Sequence, residues 1–187
     1  MTNLLLKLKN SKQRYGLIAV SLHWLITILI IFLLCMGLYM VGLEKSLAKL
    51  KLIGLHKSLG ILVLALVIVR VIWRLYNITP PLPDSMERIQ KLAAHLGHMA
   101  LYFFMFAMPL SGWFMSSAAG LPVSVFGVFV LPVIMKPDNH LKHSFFAAHQ
   151  FLAYALIATI VGHITAAFYH HFIKKDNVLT RMLPWRF

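Results

Sequence analysis

Cysteine and acidic residues are both scarce in this sequence. Cys35 is the only cysteine among 187 residues, so a disulfide framework within the chain and a thiolate metal site are excluded. The C-x-x-C-H motif, which attaches a cofactor covalently, is missing for the same reason. Asp and Glu total 5 residues against 18 Lys and Arg, and none of the five lies in a long apolar segment. A carboxylate-lined pathway for hard metal ions or protons is therefore not indicated.

Apolar residues, by contrast, make up 60% of the chain and charged residues 12%, with a mean hydropathy of +0.79. With this composition, a water-soluble domain would have too few polar residues to cover its surface. Crossing a bilayer takes roughly 20 apolar residues in a helix, and four segments reach that length, at about 17–43, 52–76, 92–117 and 145–172. We expect an all-α membrane protein, a bundle of four transmembrane helices in a single domain over residues 1–187. The first span should be retained and not cleaved as a signal peptide.

The chain has a net charge of +13, and the distribution of its Lys and Arg residues sets the expected topology. On a membrane protein such cations meet anionic lipid headgroups, so no nucleic-acid partner is expected. Twelve of the 18 Lys and Arg residues lie on the side of the two termini and the second connection, which places both termini in the cytoplasm. These twelve are Lys7, Lys9, Lys12, Arg14, Arg70, Arg74, Arg88, Lys91, Lys174, Lys175, Arg181 and Arg186, and the other six are Lys45, Lys49, Lys51, Lys57, Lys136 and Lys142.

Two connections between spans carry local signals. Prolines end the second span, and Asp84 followed three residues later by Glu87 resembles a capping box for the third. Between the third and fourth spans, LPVSVFGVFVLPVI is too short to cross a bilayer and is interrupted by proline and glycine. We expect an interfacial or folded-over cap there.

Four histidines stand inside the spans. In the predicted topology, His23 of the first span and His163 of the fourth lie near the cytoplasmic face. His56 of the second span and His149 of the fourth lie near the outer face. The four imidazoles therefore form two layers, each with two histidines from different helices.

The spacing of His149 and His163 suggests what the layers hold. Fourteen helical steps return to within roughly 40° of the starting direction with a rise of about 21 Å, so both side chains face the bundle at opposite depths. This suits two flat cofactors, each between two imidazoles, and haem b is the natural candidate because it takes two axial nitrogens and needs no thioether. Hydrogen-bonded packing, a proton relay and transport of Zn or Cu are the alternatives.

The chain resembles the bacterial cytochrome b561 family over nearly its whole length. The matching pieces are RYG, HWL, LHKSLG, VRVIWRL, TPPLP, AHLGH and, most specific, GHITAAFYHHFIKKDNVLTRMLP. The resemblance implies a four-helix cytochrome of the bacterial inner membrane with two haem b groups, one between His23 and His163 and one between His56 and His149. It also implies electron transfer from a periplasmic donor to membrane ubiquinone, as in a superoxide:quinone oxidoreductase.

Other polar residues of the spans are candidates for supporting roles. Arg70 is costly inside a membrane unless paired, and a haem propionate would give it a bidentate carboxylate partner; snorkelling to the headgroups is the alternative. His170 is the best candidate for a hydrogen bond or proton on the quinone side. His95 and His98, one turn apart at the start of the third span, are further quinone-side or proton-handling candidates. Lys57, Lys51 and Lys142 would make the outer rim positive and attract small anions such as superoxide, or lipid headgroups.

Three functions remain open from the sequence. The first is a di-haem b protein that passes electrons from superoxide to ubiquinone. The second is a cytochrome b membrane anchor that takes electrons from a redox partner protein of the hydrogenase or formate dehydrogenase type. The third is a histidine-based metal or proton transporter.

Overall fold

The computed structural model describes residues 8–183 and is mostly helical. Four long helices are α1, Leu17–Val41; α2, Leu47–Tyr76; α3, Arg88–Ala118; and α4, Asn139–Phe168. Two short strands, β1 (Val123–Val125) and β2 (Phe129–Leu131), lie between α3 and α4. A π-helical segment, Tyr169–Lys174, continues α4, and a short 3-10 helix follows at Thr180–Met182. Lys7 and Arg186, which entered the charge count, lie outside the described residues.

All four helices are long and apolar enough to cross a membrane. Their most apolar stretches bury few residues inside the protein, 17% in each of α1, α2 and α3 and 6% in α4 with its extension. Large side chains such as Ile28, Tyr39, Phe103 and Phe151 are exposed. Apolar surface of this extent is stable only against lipid. The predicted class, an all-α membrane protein with four transmembrane helices, is confirmed.

The helices differ from the predicted spans at their ends. α2 begins five residues before the predicted residue 52, and α4 begins six before residue 145. Both extensions contain polar or charged residues, such as Lys49 and Lys142. A helix can continue into the headgroup region because its backbone hydrogen bonds stay satisfied there.

The start of α3 corrects one prediction. Asp84 lies in a turn closed by a hydrogen bond from the Met86 N–H to the Pro83 carbonyl, and the helix begins only at Arg88. The capping box predicted for Asp84 and Glu87 is therefore wrong. Glu87 precedes the first helical residue, and its N–H donates to the side-chain oxygen of Gln90 at 3.4 Å. The residue whose side chain reaches back to the start of the helix is Gln90. The sequence spacing had assigned this role to Glu87, about one turn too early.

The described chain divides into two compact units. The first unit comprises residues 8–26, 66–101 and 158–183, and its buried apolar residues include Val20, Ile26 and Val67. The second unit comprises residues 27–65 and 102–157, and its buried apolar residues include Val63 and Leu156. Every long helix contributes to both units, and the single domain expected over 1–187 stays a prediction.

The short apolar connection of the second unit folds over into a β-hairpin. β1 and β2 pair antiparallel, with Val123 opposite Leu131. Phe126 and Gly127 form the turn with φ of 52° and 72°, and the Val128 N–H donates to the Val125 carbonyl at 3.0 Å. Val125 pairs with Phe129, so three residues connect the strands, and Gly127 adopts its positive φ without steric cost.

Candidate functional site

The second unit brings His56 of α2 and His149 of α4 together. Their ring centroids are 6.4 Å apart and the rings are inclined by 73°. A metal–imidazole bond is about 2 Å long and the ring centre lies roughly 1 Å further back, so imidazoles on opposite sides of one metal ion have centroids about 6 Å apart. The observed separation suits two imidazoles that would bind one metal ion between them.

His149 has a fixed hydrogen-bond partner. The Ser111 Oγ of α3 lies 2.8 Å from His149 Nδ1 and donates its own proton to the Met108 carbonyl at 2.7 Å. A hydroxyl has one proton, so Ser111 accepts from the Nδ1–H of His149. Nε2 then keeps its lone pair, which is the form of imidazole that binds a metal.

Apolar residues and glycines leave room around this pair. A methyl group on Gly37 of α1 would lie 3.5 Å from His56 Cε1, and one on Gly112 of α3 would lie 3.4 Å from His149 Cε1. The cavity beside the two imidazoles is lined by Ile30, Leu33, Leu34, Gly60, Val63, Met105, Met108, Pro109 and Leu156. His56 Nδ1 is buried and has no hydrogen-bond partner among the described residues.

The first unit brings three histidines together. The ring centroids of His23 on α1 and His163 on α4 are 6.4 Å apart, the same separation as in the second unit, with the rings inclined by 68°. His98 of α3 lies still closer to His163, with 5.7 Å between centroids. Since the shorter distance leaves less space for a metal between the rings, His23 and His163 are the better matched couple.

Arg70 is half-buried in this unit and interacts electrostatically with His23, His98 and His163. A guanidinium beside the histidine cluster offers a bidentate donor for a carboxylate or another anionic group. His95 has a different environment from these three histidines. Its ring is exposed, and its Nδ1 forms a 2.6 Å hydrogen bond to the Lys91 carbonyl one turn earlier.

His170 is buried in the π-helical segment that continues α4, and it has a partner that the sequence reasoning missed. Its Nδ1 lies 2.6 Å from Asp176 Oδ2, and the other carboxylate oxygen accepts from the Val178 N–H at 3.0 Å. The chain reverses at Lys175, which has φ of 54°. The Asp-Asn pair after the two lysines indicates a turn in the sequence. The π-helical turn that brings His170 to Asp176 has no such sequence signal.

The predicted rim lysines differ in exposure. Lys51 and Lys142 are exposed, while Lys57, next to His56, is half-buried. All three belong to the second unit.

Fold and site together define a class: a four-span membrane protein whose apolar interior presents paired imidazoles. The family model for prokaryotic cytochrome b561 matches residues 14–185. Cytochrome b561 homolog 2 of Escherichia coli (strain K12) is 40% identical over 176 residues, 93% of each chain. Cytochrome b561 homolog 1 of the same organism is 30% identical over 93% of this chain and 99% of its own. A protein named probable superoxide oxidase CybB, from Yersinia pestis, is 28% identical over 92% of this chain and 97% of its own.

The chain belongs to the prokaryotic cytochrome b561 family. It is a multi-pass protein of the bacterial inner membrane that carries out electron transfer, and the family implies haem b as its cofactor. Among the functions left open by the sequence, membership selects membrane electron transfer over metal or proton transport.

The residues present fit haem b. The macrocycle supplies four nitrogens to its iron, and the iron can take two more from the protein. Two facing imidazoles would provide them. His149 presents a free Nε2, the glycines remove side chains beside the rings, and the cavity lining is apolar like the macrocycle.

Proposed function

We propose that the chain holds two haem b groups and passes electrons from superoxide at the outer face to ubiquinone. His56 and His149 would hold one group and His23 and His163 the other. The observation that carries this proposal is the repeated 6.4 Å separation of two imidazole couples, one in each unit. The superoxide donor is supported by the name of the relative from Yersinia pestis.

The stoichiometry of the reaction matches two one-electron carriers. Two superoxide anions lose one electron each and leave as dioxygen, and ubiquinone takes up those two electrons with two protons to become the quinol. When bound, the haem groups supply the one-electron carriers that connect these half-reactions.

The protein's own residues would bind, orient and steer. Ser111 orients His149, and apolar side chains exclude water from the second unit's couple. Arg70 would pair a propionate or another anionic group in the first unit. His170, with Asp176 beside it, is the quinone-side candidate for a proton, with His95 and His98 as further candidates. Lys51, Lys57 and Lys142 would attract an anionic donor.

Haem content in purified variants tests the ligand assignment. His56→Ala and His149→Ala each remove a metal ligand, so haem per chain should fall from two to one by pyridine haemochrome assay. His143→Ala, an exposed histidine on the same helix as His149, is the matched control and should keep both. Two haem groups in either ligand variant would show that the couple is assigned wrongly.

The donor is tested separately by rapid mixing of the isolated protein with superoxide and ubiquinone. We expect quinol formation well above the uncatalysed rate, slowed by salt because the rim cations are screened. No acceleration with both haem groups present would reject superoxide. Quinol formation only after addition of a co-purified redox protein would favour the anchor-subunit function.

A further inference from the structure

We propose that Ser111 is a positioning residue that fixes the tautomer of His149 and would make it the stronger of the two iron ligands in its couple. The inference rests on the proposed function, in which His149 Nε2 binds the iron. Ser111 would act through its contact with the imidazole.

The direction of the hydrogen bonds follows from counting protons. The Ser111 hydroxyl donates to the Met108 carbonyl, 2.7 Å away and three residues earlier on α3. Its oxygen therefore meets His149 Nδ1, at 2.8 Å, as an acceptor. Because the Met108 carbonyl polarises the Ser111 hydroxyl, the hydroxyl oxygen becomes a better acceptor for His149. The two hydrogen bonds are therefore cooperative.

The local sequence explains why α3 places an acceptor here. In the stretch MPLSG, residues 108–112, the hydroxyl of Ser111 turns back onto the preceding helical turn, as serine often does inside helices. Gly112 follows directly and has no side chain to push the ring away, since even a methyl group would lie 3.4 Å from His149 Cε1. Serine and glycine together give the imidazole a side-chain partner, beside the Met108 carbonyl that also forms a hydrogen bond with it, and open space.

The two imidazoles of this couple are unequal. His56 Nδ1 is buried without a hydrogen-bond partner among residues 8–183, whereas His149 Nδ1 has Ser111. An acceptor on the far nitrogen fixes ring orientation and raises the basicity of the ligating nitrogen. A more basic ligand favours the oxidised iron. The hydrogen bond to Ser111 should therefore make the reduction potential of this haem lower than it would be without the bond.

Redox titration of the purified holoprotein tests the proposal. In Ser111→Ala, one of the two redox waves should move to more positive potential while the other stays in place, with haem content unchanged. Ser111→Thr keeps the hydroxyl and should restore the wild-type wave. Ser116→Ala is the matched control, because Ser116 is a buried serine on the same helix whose Oγ has no partner among the described residues.

A second readout does not need the cofactor. Nitrogen NMR of histidine-labelled apoprotein should show the His149 ring protonated at Nδ1 in the wild type, and the Nδ1 resonance should shift in Ser111→Ala, in which the Met108 carbonyl is the remaining acceptor. If Ser111→Ala fails to fold, Ser111→Cys, with a weaker acceptor of similar size, should shift the same wave in the same direction by less.

The outcomes separate this inference from the proposed function. Unshifted waves in Ser111→Ala, or a shift equal to that in Ser116→Ala, would overturn the role of Ser111 while leaving the ligand assignment intact. Two haem groups retained in His149→Ala would instead overturn the ligand assignment itself.

Discussion

Single residues decide how much space the imidazoles have, and Gly112 gives the sharpest case. Its missing side chain would already be in van der Waals contact with the His149 ring as a methyl group. In Gly112→Val, the two added γ-carbons have no room beside the ring, so we expect His149 to be displaced and one haem per chain to be lost. Haem quantitation of protein that still runs as a monodisperse peak in detergent measures this effect.

The matched control is Gly54→Val on α2. A Cβ at Gly54 meets no described atom within 4 Å, and valine has a somewhat higher helix propensity than glycine, so this variant should keep both haem groups. Equal haem loss in both valine variants would mean that a general effect of a branched side chain in a span, and not the contact with His149, is responsible.

The histidines of both couples could be found from the sequence, because imidazole stands out inside an apolar span and its depth follows from position along the helix. Ser111 and Gly37 could not be found in this way. A serine in a span is unremarkable until the facing helix is known, and Gly37 matters only because His56 of another helix lies against it. His98 shows the same limit, since its spacing from His95 says nothing of its approach to His163.

At the scale of elements, a single side chain ties the β-hairpin to α2. The buried Ser58 Oγ accepts from the Phe126 N–H at 3.1 Å and lies 3.1 Å from the Ser124 carbonyl, with a further bond to the Gly54 carbonyl at 3.0 Å. In Ser58→Ala the Phe126 N–H loses its acceptor. Local stability of the hairpin should fall by about 1 kcal/mol, and exchange of the Phe126 amide should accelerate roughly fivefold.

Ser144→Ala is the control for the hairpin prediction. Its exposed hydroxyl donates to the His140 carbonyl on the same helix and has no bond to the described hairpin residues, so exchange at Phe126 should be unchanged. If the Ser58 variant shows wild-type exchange at Phe126, the hairpin is held by the strand pairing and apolar burial alone. The sequence predicted that this segment folds over, but it did not identify Ser58, which lies 68 residues from Phe126.

The C-terminal segment of the first unit is closed by Asp176. Its carboxylate bonds His170 Nδ1 and the Val178 N–H, and its own N–H donates to the His170 carbonyl at 3.1 Å. Asp176→Ala leaves a buried imidazole nitrogen and an amide without their acceptor, which should cost about 1–3 kcal/mol of local stability. We expect faster limited proteolysis in 169–183, with the exposed Asp84→Ala variant as control; equal cleavage in both would contradict this role.

On the scale of the whole molecule, exposed apolar surface indicates that the chain lies in a membrane, whereas the distribution of charge indicates its orientation there. The exposed apolar helix surfaces require a lipid environment whichever way the chain is inserted. Orientation depends only on the uneven distribution of Lys and Arg, twelve against six. The span lengths could therefore be predicted closely, while the placement of both termini in the cytoplasm needs an experiment of its own.

The lone cysteine makes that experiment direct. Cys35 lies within the α1 span, and replacing it by serine gives a cysteine-free background into which single cysteines can be placed. Ser85→Cys probes the exposed connection between α2 and α3, and Lys136→Cys probes the exposed connection before α4. In intact spheroplasts, a membrane-impermeant maleimide should label Lys136→Cys at once and Ser85→Cys only after permeabilisation. The reverse pattern would put the positive side outside, and the His56–His149 couple, with its neighbouring lysines, would then belong to the cytoplasmic half.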